Sequence, residues 1–180
     1  MSKTMVPTTG RRGFLKGATA LAATASLPVS LVELAFGETA PGFTFAYIFA
    51  AVEPGTDNAF ALAMPEVNTA AMQEFLNRFS KTLASDEHAA MIIDQAGWHV
   101  ANDLAVPANL TLVSLPPYSP ELNPVERIWE FLKERYLSHR LLDDYDAIVD
   151  AACAAWKNLI NEAGRIKSLS SYPWIQEIIT

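Results

Sequence analysis

The chain has 180 residues, of which 51% are hydrophobic, so it is long and apolar enough for one domain with a substantial core. Its net charge of −7 is opposite in sign to that of a typical DNA-binding surface, so any DNA contact would need a local cluster of basic residues. The single cysteine, Cys153, excludes an internal disulfide framework and offers no cysteine spacing for a metal site.

The N-terminus differs from the rest of the chain. A basic run, Arg11-Arg12-Gly13-Phe14-Leu15-Lys16, precedes a mildly apolar stretch over residues 18–27, and small residues follow at 35–37. This order resembles a twin-arginine export signal, and the alternative is a disordered basic arm. The apolar stretch is too short to span a bilayer, so no stable membrane anchor is expected. We predict a signal-like or disordered segment over residues 1–42 and a folded domain over 43–180.

The first part of that domain reads as a hairpin followed by a helix. Residues 43–52 and 59–64 are apolar and β-branched enough for strands, and the turn residues Pro, Gly, Asp and Asn lie between them. A helix capped by Asn68 or Thr69 is predicted to extend to about residue 83, since its apolar residues repeat at helical spacing.

Two short apolar runs follow. Residues 89–93 read as a strand buried on both faces, and the run ends at a lone carboxylate, Asp94. Residues at the carboxyl ends of such strands point into the crevice where ligands bind. Residues 97–104 are predicted to form a short helix, and residues 110–115 a second buried strand.

A helix then begins abruptly after a proline-rich stretch. Asn123 suits the N-cap, and Pro124 suits the first helical position, where its missing N–H costs nothing. Glu126 falls at the third helical position. A purely structural role for it there is a capping box, in which its carboxylate accepts from the N–H of Asn123. A last helix is predicted to open with Asp143-Asp144-Tyr145-Asp146, whose carboxylates suit the positive end of the helix dipole. The order of elements indicates a mixed α/β sheet. The helix that begins at Pro124 is predicted to bury one face, formed by Val125, Ile128, Trp129 and Leu132.

Two sequence strings resemble the second and third catalytic blocks of DDE transposases. The first is Asp94-Gln95-Ala96-Gly97-Trp98-His99, and the second is Pro116-Pro117-Tyr118-Ser119-Pro120-Glu121-Leu122-Asn123-Pro124-Val125-Glu126. Asp94 and Glu126 are 32 positions apart (126 − 94), which is similar to the short second spacing of that superfamily. The resemblance is to the bacterial insertion-sequence branch related to mariner elements.

The resemblance implies an RNase H-like mixed sheet flanked by helices and a function in metal-dependent DNA cleavage and strand transfer. Asp94 and Glu126 would be catalytic and would bind two Mg²⁺ or Mn²⁺ ions, with transposon-end DNA as the partner. His99, Arg127, Lys133 and Arg135 are the candidate DNA contacts. The alternatives are a capping or core-edge role for His99 and a solvated helix face for the three cations.

The first catalytic aspartate of the family has no counterpart. Residues 1–42 contain no Asp, and their only acidic residues are Glu33 and Glu38. Glu33 is not expected to be a substitute, because it lies in the tail of the signal-like segment. We therefore expect a core that lacks its first strand, and a truncated, inactive cytoplasmic fragment that also lacks the family's end-binding region.

Two other functions stay open. The chain could be an exported, non-catalytic globular protein, in which case the twin-arginine-like segment is a working signal. It could also be a regulatory fragment that pairs with an intact transposase, or with itself as a homo-oligomer.

Overall fold

The computed structural model describes residues 3–5, 25–35, 45–94, 103–116, 119, 122–138, 142 and 144–172. The predicted helix over 97–104 therefore lies almost wholly outside the described residues. The described strands are β1 (Lys3–Met5), β2 (Ala25–Ala35), β3 (Phe45–Val52), β4 (Ala59–Met64), β5 (Ala89–Ile93) and β6 (Leu110–Ser114). The described helices are α1 (Thr69–Ser80), α2 (Pro124–Leu132), α3 (Tyr145–Asn161) and α4 (Arg165–Ser170), and a π-helical turn over Lys133–Leu137 continues α2.

The strands form one mixed sheet in the order β1-β4-β3-β2-β5-β6. β3 pairs antiparallel with both β2 and β4, whereas β5 pairs parallel with both β2 and β6. The predicted mixed α/β sheet with flanking helices is thus confirmed.

The prediction that the sheet lacks its first strand is wrong, because β2 occupies that position. β2 lies between β3 and β5, although its residues belong to the predicted signal-like segment. The physical reason is visible in the sequence, where Leu27, Val29 and Leu31 alternate with Ser26, Pro28 and Ser30. Alternation with period two favours a strand, and the neighbouring edges of β3 and β5 supply its hydrogen-bond partners.

Helices cover both faces of the sheet. On one face α1 packs against odd-numbered residues of β3 and β5, and we call this the α1 face. On the other, α2, α3 and α4 pack against even-numbered residues of β3, and we call this the α2 face. The α1 face is built around Phe49, Leu62, Met72, Phe75, Leu76 and Met91, and the α2 face around Ile48, Val125, Ile128, Trp129, Trp156 and Leu159.

Caps and a turn fix the ends of these elements. Asn68 Oδ1 accepts from the Ala71 N–H at 2.8 Å, and Asp144 Oδ1 accepts from the Ala147 N–H at 2.8 Å. Both caps satisfy N–H groups that a helix start leaves unpaired, and the cap by Asn68 was predicted from the sequence. No helix in the described part of the chain is long and apolar enough to span a membrane.

The β3–β4 turn is tied to α4 far along the chain. Gly55 adopts φ +80°, a left-handed conformation that favours glycine. Asp57 then accepts from the Gly164 N–H at 2.7 Å and from the Lys167 N–H at 3.1 Å. Asp57 therefore caps α4 from the hairpin and holds that helix on the α2 face.

Candidate functional site

Asp94 directly follows β5 and lies on the α2 face. Ala89, Met91 and Ile93 pack with α1, so the next position in the alternation belongs to the opposite face. The strand geometry extends to this point because the Leu115 N–H donates to the Ile93 carbonyl at 2.7 Å, one step past β6. The Asp94 side chain is half-buried there.

Glu126 lies in the first turn of α2, on the same side of the sheet. Asn123 caps the helix by accepting from the Val125 N–H at 3.2 Å, and Pro124 is the first helical residue, both as predicted. α2 packs against β2 and β3, with Val125 and Ile128 fully buried. Glu126 is half-buried, and its charge suits the positive end of the helix dipole.

The two predicted carboxylates therefore belong to one layer of the molecule. Mg²⁺ is usually bound through one or two carboxylates together with substrate phosphates and waters. The described residues include no group of three or more His, Cys, Asp or Glu side chains arranged to hold a metal. A pair of ions about 4 Å apart would need more carboxylate ligands than two.

Tyr172 is a neighbour of Glu126 that the sequence did not reveal. Its ring is buried, and the Arg127 guanidinium stacks over it at 4.2 Å from the ring centroid. Burial raises the pKa of Tyr172, Arg127 lowers it, and the carboxylates of Glu130 and Glu126 raise it further. No local signal could have linked Tyr172 to α2, because the contact joins residues 45 positions apart (172 − 127).

The predicted DNA contacts differ in their surroundings. Arg127, Lys133 and Arg135 are exposed, whereas His99 lies outside the described residues. Arg135 Nε lies 3.5 Å from a carboxylate oxygen of Glu162, so part of its charge is already balanced. Lys133 is seven residues after Glu126, close to two helical turns, and so lies on the same side of α2.

Glu162 also anchors the π-helical turn. It accepts a hydrogen bond from the Tyr136 hydroxyl, and Arg165 Nε lies 2.8 Å from its other oxygen. The hydrogen bond from Tyr136 is the main cause that lowers the pKa of Glu162, followed by the hydrogen bond from Arg165. Arg135 is thus held in a network that joins the π-helical turn to the end of α3.

The chain matches the family model of the DDE superfamily endonucleases over residues 43–149. It is also 46% identical over 130 residues to the uncharacterized protein y4pE/y4sA of Sinorhizobium fredii. That match covers 72% of this chain and 96% of the relative.

Solved structures show the same fold at low sequence identity. The catalytic domain of the Mos1 mariner transposase is 16% identical with a TM-score of 0.55, and the match covers 82% of this chain and 83% of that one. A structure of the same catalytic domain with raltegravir and Mg has the same identity and TM-score, with coverages of 82% and 85%. A chain of the simian T-cell lymphotropic virus intasome in complex with the PP2A regulatory subunit B56 gamma is 12% identical with a TM-score of 0.51, and the match covers 83% of this chain and 54% of that one.

These similarities confirm the predicted RNase H-like architecture of transposase and integrase catalytic cores. The family match includes both Asp94 and Glu126. It also includes α2 and the start of α3, which pack on the α2 face. The chain belongs to the DDE superfamily of endonucleases.

Proposed function

We propose that this protein is a transposase catalytic core of the insertion-sequence branch that binds DNA and one divalent cation but does not cleave or join DNA efficiently. The observation that carries the proposal is the placement of Asp94 and Glu126 on one face of the sheet without a third described carboxylate beside them. Asp94 and Glu126 would hold one Mg²⁺ or Mn²⁺, which would polarise a phosphate oxygen when DNA is bound.

Residues 1–42 are proposed to come from outside the transposase core. The family match begins at residue 43, and the order of basic, apolar and small residues before it suits an export signal. Part of this segment, β2, nevertheless pairs with β3 and β5. We therefore propose a core whose first strand is supplied by an unrelated sequence that lacks the catalytic aspartate.

The metal site can be tested with Mn²⁺, whose free concentration is measured by electron paramagnetic resonance. The wild-type protein is expected to bind Mn²⁺ weakly, and Asp94→Asn or Glu126→Gln is expected to weaken binding at least about tenfold, since even outer-shell changes cost 10–100-fold at metal sites. Glu130→Gln is the matched control, because Glu130 is exposed one turn further along α2.

Nicking of supercoiled plasmid with Mg²⁺ tests the proposed lack of DNA cleavage. No metal-dependent nicking above background is expected from a folded sample. Nicking that disappears in both Asp94→Asn and Glu126→Gln would show that the catalytic set is complete and would overturn the proposed inactivity. Mn²⁺ binding that is unchanged in both variants would remove these residues from the site.

DNA is proposed to approach along the side of α2 that carries Glu126 and Lys133. Lys133→Ala is expected to weaken binding of a short duplex and to lower the slope of log affinity against log salt by about one, since each phosphate contact releases about one counterion. The measurement is fluorescence anisotropy over a series of salt concentrations.

Lys81→Ala is the matched control for this prediction. It removes the same charge from an exposed residue at the end of α1, on the opposite face of the sheet. Equal losses in the two variants would indicate a general charge effect and would contradict a DNA path along α2.

A regulatory role is a second candidate function. β6 is a sheet edge along which Val113 is 45% exposed, and an open edge strand can pair with another chain. Co-purification with an intact transposase, lost when charge is added by Val113→Lys, would support this role.

A further inference from the structure

We infer that Arg127 holds a backbone phosphate of bound DNA beside Glu126, and that Tyr172 positions Arg127 for this contact. Arg127 is the residue that touches DNA, and Tyr172 acts through it. The inference rests on the proposed function, because it takes duplex DNA as the ligand and its path along α2 as given.

Arg127 differs from the other arginines in the described part of the chain. The structure describes four, and three of them, Arg78, Arg135 and Arg165, form ion pairs with glutamates. Arg127 is exposed and forms no ion pair with any described residue. Its guanidinium carbon lies instead 4.2 Å from the centroid of the Tyr172 ring. The positive charge of Arg127 is therefore available to a ligand.

The contact with Tyr172 prepares the guanidinium for a phosphate. A long exposed side chain loses rotamer freedom when it binds a ligand. A guanidinium stacked on an aromatic ring has already lost part of this freedom. Its N–H donors remain at its edges, where they match two oxygens of one phosphate. The stack thus orients Arg127 without neutralising it, as a carboxylate partner would.

The Tyr172 ring lies beside the start of α2. Burial is the largest influence on the pKa of Tyr172, and the charges that act on it are those of Arg127, Glu130 and Glu126. Such influences decline with distance, so the Tyr172 hydroxyl lies near all three side chains. Arg127 directly follows Glu126 and lies about 100° further round the helix. It therefore borders the side of α2 along which DNA is proposed to approach.

The Tyr172 ring is itself held in place by α4. Tyr172 follows the end of α4 at Ser170 by two residues, and it is only 8% exposed. Ile166 and Ser170 of α4 are buried, α4 packs against α2, and Asp57 caps α4 from the hairpin. A ring fixed in this way limits the positions that the stacked guanidinium can take.

Tyr172 lies beyond the residues that match the family. The match ends at residue 149, which is 23 positions before Tyr172 (172 − 149). Arg127 and Glu126 lie within the match, so the contact joins the matched core to the C-terminal part of the chain. The inferred role thus belongs to a residue that the family match does not include.

The test measures binding of a short fluorescent duplex to the full-length chain by anisotropy over a series of salt concentrations. Arg127→Ala is expected to weaken binding about tenfold, since a hydrogen-bonded charge is lost, and to lower the slope of log affinity against log salt by about one. Tyr172→Leu is expected to cause most of the same loss, whereas Tyr172→Phe keeps the ring and is expected to keep the contact. Arg78→Ala is the matched control, because it removes an arginine from α1 on the opposite face of the sheet.

A double variant separates positioning from a general loss of structure. If Tyr172 acts through Arg127, adding Tyr172→Leu to Arg127→Ala is expected to weaken binding no further. If Tyr172→Leu weakens binding equally in the wild-type and Arg127→Ala backgrounds, Tyr172 supports only the fold, and its positioning role is wrong.

Arg127→Lys covers the case in which Tyr172→Leu does not fold, because it changes only an exposed side chain. Lysine keeps the charge but lacks the planar fork that stacks on a ring and binds two phosphate oxygens. This variant is therefore expected to lose most of the affinity that Arg127→Ala loses. Wild-type affinity in Arg127→Lys would show that charge alone is sufficient and would overturn the inference.

The outcomes separate this inference from the proposed function. If Lys133→Ala lowers the salt slope but Arg127→Ala does not, the phosphate contact is wrong and the proposed path of DNA along α2 survives. An equal loss in Arg78→Ala would also overturn the contact, since net charge would then explain it. If the wild-type chain binds no duplex, the proposed function fails and this inference fails with it.

Discussion

Residues 43–180, produced without the preceding segment, are expected to be insoluble or to show no cooperative thermal transition. The truncation removes β2, which has seven registered pairs with β3 and five with β5. Without β2, the edges of β3 and β5 in the middle of the sheet lose their hydrogen-bond partners. Unpaired backbone groups at such edges either cost free energy when buried or pair with other chains.

Residues 22–180 provide the matched control, because this fragment keeps all of β2 and loses β1. β1 contributes only three registered pairs with β4, at the edge of the sheet. The fragment of residues 22–180 is therefore expected to remain soluble and to melt cooperatively, as followed by circular dichroism. If residues 43–180 melt at the same temperature as residues 22–180, then β2 is not part of the folded sheet.

The same strand bears on the export hypothesis. The small residues at 35–37, where cleavage of an export signal is expected, directly follow β2. A processed form would therefore lose the central strand, so signal cleavage and the described sheet exclude each other. We propose on this ground that the folded protein stays in the cytoplasm; cell fractionation that recovers a shortened, folded periplasmic form would contradict the proposal.

Much of the core could be predicted because its signals are local. Residues 59–64 form a strand as predicted, and the strand predicted over 43–52 begins at Phe45. The start of α2 follows from Asn123 and Pro124, whose capping and fixed φ act within one turn of the chain. The string that contains Glu126 is long enough to identify the family, which fixed the fold more firmly than periodicity could.

The features that were missed depend on contacts between distant parts of the chain. β2 was assigned to a signal-like segment because a basic run and an apolar stretch are followed by small residues at 35–37. In the sheet, Pro28 is registered with Ile92 of β5, and the ladder with β3 begins one residue later at Val29. Asp57 looked like any turn residue, since its role as a cap depends on α4 more than 100 positions later.

Replacing Phe75 by alanine is expected to lower the free energy of unfolding by about 3–5 kcal/mol, the usual cost of removing a buried phenylalanine. Phe75 is fully buried at the centre of the α1 face. Its ring lies 5.8 Å from that of Phe49, 5.5 Å from Phe60 and 6.4 Å from Phe79. The three neighbours come from two strands and the helix itself, so they cannot close the cavity without moving the sheet relative to α1.

A loss of this size is a large part of the 5–15 kcal/mol that stabilises a typical domain, so the melting temperature is expected to fall by about 10 °C. Phe131→Ala is the matched control: its ring is half-exposed at the end of α2, where it contacts Tyr136 edge-on at 5.9 Å. Its loss should cost less than half as much, because folding removes less of the Phe131 side chain from water. Equal costs for the two variants, measured by urea unfolding, would mean that α1 is not packed as described.

The α1 face supports β5, and through β5 the position of Asp94, so Phe75→Ala should also weaken Mn²⁺ binding, whereas Phe131→Ala should not.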